Sequence, residues 1–284
     1  MCIGITKKNF NNKVAAITGA GSGIGQQLAI QLAQSGANLA LSDRNLDGLA
    51  QTSEMIKHTG VKITQTQLDV SDRAAVEQWA AATQAEFGQV NLIFNNAGVA
   101  LASTVEGMHY DEIEWIMNIN FWGVVYGTKA FLPYLRQSGD GHIVNISSLF
   151  GLTAQPTQSA YNATKFAVRG FTESLRQELD LENVGVSATC VHPGGIRTNI
   201  ANSARMSDSI RALGMNPDRA TKAFNKVLKT PPEVAAKVIL DAVKQNKRRV
   251  LIGNDAKIID LIQRIAPTRY AQAIDLLSGK KKRK

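Results

Sequence analysis

The sequence is poor in the features that place a chain outside the cytosol or around a metal. Only two of its 284 residues are cysteine, Cys2 near one end and Cys190 in an apolar, strand-like run. A disulfide framework or a cysteine cluster is therefore not expected, and both are read as thiols. The four histidines, His58, His109, His142 and His192, show no ligand spacing, which predicts no metal site. No apolar run reaches the ~18 residues of a membrane-spanning helix. The opening MCIGITKKNFNNK carries no signal-peptide core, which points to the cytosol. Internal repeats are missing, and basic residues are not interleaved with aromatics as nucleic-acid binding would require, so no nucleic-acid partner is expected. The body also lacks a large charge surplus: residues 280–284 are all Lys or Arg, and they supply more than half of the net +9.

What is present is apolar content of 44% over a length that can bury one large α/β core. Strand-like runs alternate with helical patterns along the chain. KVAAIT (13–18) is followed by TGAGSGIG (18–25) and then by a helical run. A glycine turn between strand and helix is the context in which backbone approaches a diphosphate and a helix N-terminus receives it. Gly19 suits the tight turn, while Gly23 and Gly25 suit close approach of diphosphate and helix. The next strand, NLALS (38–42), ends at Asp43, whose carboxylate is placed to accept from ribose hydroxyls and to repel a 2′-phosphate. Arg44 beside it suits that phosphate instead, and Asp43 has a second reading as a helix N-cap. A third strand (62–70) ends near Asp69, a candidate partner for the adenine amino group. Ser71 or Asp72 is expected to cap a helix running to about Phe87.

A fourth strand (90–94) runs into NNAG (95–98), small enough to let backbone lie against a cofactor. One long helix is expected over 110–135, with Asn120 inside it. An amide in an apolar helix is costly unless bonded, so Asn120 should have a specific partner. A fifth strand (141–146) leads to Ser148. Tyr161 and Lys165 are four apart, on one face of a helix expected to reach about Leu181. An ammonium beside a phenol favours the phenolate, and a serine facing the same point could hold a carbonyl oxygen. The three together suggest proton transfer at a C–O group. A sixth strand (184–191) ends at His192-Pro193-Gly194, and a seventh is expected at 249–252.

Between them, 198–230 is polar and basic without strand pattern and reads as a partly helical lid over the strand ends. After Gly253, Ile258, Ile259, Leu261, Ile262 and Ile265 form an apolar stripe at helical spacing. This stripe and the tail read either as a helix packed on the body or on a partner subunit, with a solvated end, or as an amphipathic surface anchor for anionic lipid.

TGAGSGIG, Asp69, NNAG, Asn120, Ser148, YNATK and His192-Pro193-Gly194, in this order, resemble the short-chain dehydrogenase/reductase family from about residue 12 to 253. The resemblance implies a single-domain, Rossmann-like doubly wound fold with a seven-stranded parallel sheet and helices on both faces. It divides the chain into a catalytic domain (1–253, lid included) and a helical extension with the basic tail (254–284). It implies an oxidoreductase interconverting a secondary alcohol and a ketone, working as a homotetramer or homodimer. Ser148 would polarise the substrate oxygen, Tyr161 act as acid/base, Lys165 bind nicotinamide ribose and tune Tyr161, and Asn120 help hold a water behind Lys165. Cofactor contacts would fall on Gly19, Ser22, Gly23, Ile24, Gly25, Asp43, Arg44, Asp69, Val70, Asn96, Ala97, Gly98, Pro193, Gly194, Ile196 and Thr198, besides Tyr161 and Lys165. Asp43 favours NAD(H), with NADP(H) left open by Arg44. Phe150, with Leu149, Leu152 and Ala154, suggests a hydrophobic substrate. A catalytically silent nucleotide-binding scaffold acting through its C-terminal region is the rival reading; the complete catalytic set argues against it.

Overall fold

In the computed structural model residues 9–277 are described; Cys2 and the basic tail lie outside them. The elements follow in order: β1 (Val14–Thr18), α1 (Gly23–Gln34), β2 (Asn38–Asp43), α2 (Leu46–Ile56), β3 (Ile63–Gln67), α3 (Arg73–Phe87) and β4 (Leu92–Asn95). Then come β5 (Leu101–Ala102), α4 (Tyr110–Met117), α5 (Gly123–Ser138), β6 (Gly141–Ile146), α6 (Ser159–Glu182) and β7 (Val186–Pro193). The chain continues through β8 (Arg205–Met206), α7 (Pro217–Val227), α8 (Pro232–Lys244), β9 (Arg249–Ile252), α9 (Asn254–Ile265) and α10 (Tyr270–Leu277).

Seven strands form one sheet in the order β3-β2-β1-β4-β6-β7-β9, every neighbour parallel. Successive side chains of a strand point to opposite faces, and the burial follows that period. Ala15, Ile17, Leu39, Leu41, Leu92 and Phe94 belong to one core with α1 and α8. Ala16, Ala40, Ile93 and Ile143 belong to the other, with α3, α5 and α6. There Trp79 meets Phe131 edge to face at 5.0 Å. Strands buried on both faces explain why these runs are nearly continuous in apolar residues.

Two expected elements come out differently. The helix expected over 110–135 is two helices, because a π turn at Asn118–Trp122 separates α4 from α5. An extra residue per turn is inserted at Asn120, and such turns are drawn to functional sites. The lid region, expected without strands, contributes β8, whose pairing with β5 ties Arg205 and Met206 to Leu101 and Ala102. Otherwise it is helical: two short 3₁₀ turns and α7.

One polar knot sits inside the sheet. Asn95 of β4 donates through Nδ2 to Thr128 Oγ1 (3.1 Å) and to Asn145 Oδ1 of β6 (2.8 Å). Asn145 donates in turn to Thr172 Oγ1 of α6 (3.0 Å). Gly127 makes room, since a Cβ there would overlap the Asn95 amide oxygen. A buried donor left without its partner costs its full desolvation. Asn145→Ala should therefore lower the unfolding free energy by about 1–3 kcal/mol, read from the urea midpoint at constant slope.

Candidate active site

The second and third strands lie on one side of β1, and the fourth lies on its other side. The strand order thus reverses between β1 and β4, and in open parallel sheets ligands bind in the crevice outside such a reversal. Thr18 closes the floor of this crevice: its Oγ1 accepts from the backbone N–H groups of Asn96 and Ala97, both at 3.0 Å. Asn96 Nδ2 donates back to the carbonyls of Thr18 (2.9 Å) and Gly19 (3.2 Å). Gly19 has φ +67°, and a Cβ there would come within 3.0 Å of Ala97 Cα. A Cβ on Gly25 would overlap the Gly19 carbonyl oxygen, so helix packs on turn only with hydrogen at that position. Ser22 precedes α1 without using its side chain as a cap, and the first turn of α1 holds no acid. The cradle a Cβ would fill, the free helix N-terminus and the missing acid fit a dinucleotide diphosphate.

Asp43 sits at the carboxyl end of β2, where Oδ2 accepts from the Gly21 N–H (2.9 Å) and Oδ1 from Asn45 N–H (2.9 Å). The N-cap reading of Asp43 is corrected: α2 is capped by Asn45, whose side chain accepts from Gly48 N–H at 3.2 Å. Arg44 Nε lies 3.6 Å from Asp69 Oδ2, both side chains well exposed. Burial raises the Asp69 carboxyl, but hydrogen bonds from Ser71 and the Arg44 charge outweigh it and hold the group below the usual carboxylate range. Val70 packs against Gly123 at the start of α5.

On the far side of the crevice β7 ends in Pro193. The N–H of Gly195 donates to Asp255 Oδ2 at 2.7 Å, from the first turn of α9. Ile196 is buried, and the Thr198 methyl lies 3.1 Å from where a Cβ on Gly23 would be. The structure therefore brings the β7 exit against the glycine turn, with Ile24 packed on the neighbouring core.

The catalytic candidates converge at the end of β6. Ser148 Oγ accepts from Phe150 N–H (3.0 Å), and the hydroxyl is near enough to the Tyr161 phenol to pull that group's pKa down. Phe150 meets the Tyr161 ring edge to face at 6.1 Å. Lys165, one turn along α6, is buried, and its Nζ donates to the Ile146 carbonyl (3.0 Å), 5.7 Å from the Tyr161 ring centroid. Asn120 is fully buried: Oδ1 accepts from Val99 N–H (2.8 Å), and Nδ2 donates to Val99 O (2.9 Å) and Thr164 Oγ1 (3.3 Å). Its partner is thus the backbone just beyond NNAG, and Gly98 lies within reach of both Asn120 and Lys165.

The charge logic differs from expectation in one respect. Desolvation pushes the Tyr161 phenol up, with the Ser148 hydrogen bond pulling it back. Desolvation also lowers Lys165, to about 8. Lys165 gives one of its N–H groups to the Ile146 carbonyl, and burial, not the neighbouring ammonium, decides the direction of the Tyr161 shift.

Several residues support the site through contacts that the sequence motifs did not show. Asn162 donates to the carbonyls of Phe150 (2.9 Å) and Thr153 (3.0 Å) and accepts from Gln155 N–H (3.1 Å), pinning the loop after Ser148. Tyr270 of α10 accepts from the N–H of Ala154 on the same loop (2.9 Å). His192, fully buried, meets the Ser148 carbonyl through Nδ1 at 2.9 Å; a carbonyl only accepts, so Nδ1 carries the proton. An i+4 spacing could be read locally, whereas these contacts join segments up to 116 residues apart.

Comparison with known proteins agrees with this geometry. The family description "short chain dehydrogenase" matches residues 13–209, and the chain belongs to that family of oxidoreductases. A Mycobacterium tuberculosis protein, SadH, whose name assigns it provisionally to the oxidoreductases, is 48% identical over 267 residues, covering 94% of this chain and 95% of its own. A Burkholderia phymatum short-chain dehydrogenase/reductase solved in complex with NAD superposes with a TM-score of 0.84 at 28% identity, over 92% of this chain and 95% of that one. Levodione reductase superposes with a TM-score of 0.76 at 31% identity, over 87% and 99%.

The buried His192 makes a prediction. Desolvation lowers its pKa from 6.5 to about 4, so between these values the unfolded chain binds the extra proton. Stability should then rise with pH across that window and be lost as pH falls through it, by on the order of 3 kcal/mol. His192→Asn, which keeps an N–H near the Nδ1 position, should show a flatter profile in urea titrations from pH 4 to 6.5. Parallel profiles for the two proteins would remove His192 as the cause.

Proposed function

We propose that the protein is an NAD(H)-dependent oxidoreductase interconverting a hydrophobic secondary alcohol and its ketone, with Tyr161 as the acid/base. The observation that carries this reading is the convergence of Ser148, Tyr161 and buried Lys165, with Lys165 against Gly98 just beyond β4 at the β1/β4 reversal. When bound, the nicotinamide takes up or delivers the hydride. Ser148 holds the substrate oxygen, and Tyr161 takes the hydroxyl proton in oxidation or returns it in reduction. Lys165 orients the nicotinamide ribose and supplies positive charge next to the phenol. Asn120, clamped on Val99, keeps the π turn in place and helps hold the water that links Lys165 to solvent. Phe150 against the Tyr161 ring, with Leu149 and Leu152 on the same loop, supports a hydrophobic substrate.

The diphosphate falls to Gly19, Ser22, Gly23, Ile24 and Gly25, the adenosine to Asp43, Asp69 and Val70, and the nicotinamide side to Asn96, Ala97, Gly98, Pro193, Gly194, Ile196 and Thr198. Two features support NAD over NADP. Asp43 is fixed by two backbone N–H groups at the end of β2, and Arg44 faces Asp69. We place the enzyme in the cytosol and the 198–230 segment as a lid. Homo-oligomerisation is supported by exposed Trp122, stacked on Tyr126, and exposed Phe166 on adjoining helices.

Tyr161→Phe should lower kcat by about 10²–10⁴-fold, the usual yield of acid/base catalysis, with NADH affinity unchanged. A variant keeping more than about a tenth of kcat would end the assignment. The cofactor is tested by titrating NADH and NADPH against the wild type and Asp43→Asn. NADH should bind more tightly to the wild type, and the variant should lose at least about tenfold of that preference. Binding of neither nucleotide would favour the silent scaffold.

A further inference from the structure

The distribution of charge points beyond the reaction. The whole surplus of +9 lies in two segments: residues 198–230 hold six Lys or Arg against two Asp, and residues 280–284 hold five cations. Everything else in the chain is balanced. In the lid, Arg205 is stacked on Trp115 and Arg211 is paired with Asp208. Arg219, Lys222, Lys226 and Lys229 are exposed and make no ion pair among the described residues. Beside them Leu213, Met215, Phe224 and Val227 are exposed as well, so α7 buries none of its residues. Helix α9 adds Ile258, Leu261 and Ile265, three and four residues apart on one face, and Ile265 is 75% exposed.

These surfaces share one edge. The strands are all parallel, so the segment after β7 and the helix after β9 both leave from carboxyl ends, as does the Ser148 loop after β6. They also meet: the Gly195 carbonyl accepts from Lys229 and Thr230 N–H, both at 3.0 Å, and the Gly195 N–H donates to Asp255 at the start of α9.

We propose that this edge, around the mouth of the candidate site, docks on an anionic phospholipid bilayer. Exposed apolar side chains interleaved with unpaired cations match an acyl layer beneath acidic headgroups, and neither signal alone holds a protein there firmly. A second copy is a poorer occupant, because an isologous contact would set the same cations against themselves. A nucleic acid would use the cations but leave Phe224 and Val227 in water. The proposal rests on the functional reading in one respect: a hydrophobic alcohol or ketone would reach the site from the lipid phase.

The test is co-sedimentation of the full chain with phosphatidylcholine vesicles, with and without phosphatidylserine, in the absence of substrate. The protein should pellet only with phosphatidylserine, and added salt should release it. Lys222→Gln/Lys226→Gln/Lys229→Gln should weaken partition by about tenfold or more, as should Phe224→Asp/Val227→Asp. Thermal midpoint and NADH binding, measured on the same samples, keep misfolding or a wrong functional reading apart from a docking failure. No pelleting, or equal pelleting with neutral vesicles, by a protein that still binds NADH overturns the proposal. So does a drop in oligomeric mass for Phe224→Asp/Val227→Asp in light scattering, which would assign the face to a second copy. A gel shift of DNA without vesicle binding would assign it to a nucleic acid.

Discussion

Seven strands running the same way impose one condition on everything else in this molecule: each must be followed by a crossover, and every crossover begins at the same edge. The glycine turn after β1, Asp43 after β2, NNAG after β4, Ser148 after β6 and the His192-Pro193-Gly194 exit of β7 are spread over most of the sequence. Parallel pairing gathers them. Burial on both faces stabilises the sheet, and its hydrogen-bonded register fixes where each loop starts. The site residues can therefore be small, polar or buried and charged, because their positions are set by packing a few residues upstream.

That gathering also explains the electrostatics. Lys165 lies under the sheet edge with its charge against a strand-end carbonyl, and desolvation lowers its hold on the proton. Tyr161 is moved the opposite way by the same cause, because its neutral form is the one that burial favours. Burial thus favours the neutral form of both groups and moves their proton affinities, nearly equal in water, apart.

The order of strands and helices was legible from period and punctuation, while the doubly wound arrangement of the sheet was implied by the family resemblance. The site was legible where its chemistry is local: Tyr161 and Lys165 at i, i+4, and the glycines at a strand–helix junction. Asn120 was recognisable as an amide needing a partner, but neither the π turn nor Val99 could be read. A π turn has no side-chain pattern of its own, and Val99 takes part through its backbone. Asp43 shows the limit of counting: its position suited a cap, yet Asn45 has the geometry. His192, Asn162, Asp255 and Tyr270 act through contacts between distant segments, which leave no periodic trace.

Asp255 and Tyr270 belong to the last elements of the chain, yet one grips the loop after β7 and the other the loop after Ser148. The contacts between β1 and β4 need nothing from the C-terminal elements. The two clamps do. The loops after β6 and β7 thus reach their final positions only when the last two helices are in place, whereas Thr18 and Asn96 join β1 to β4 without them.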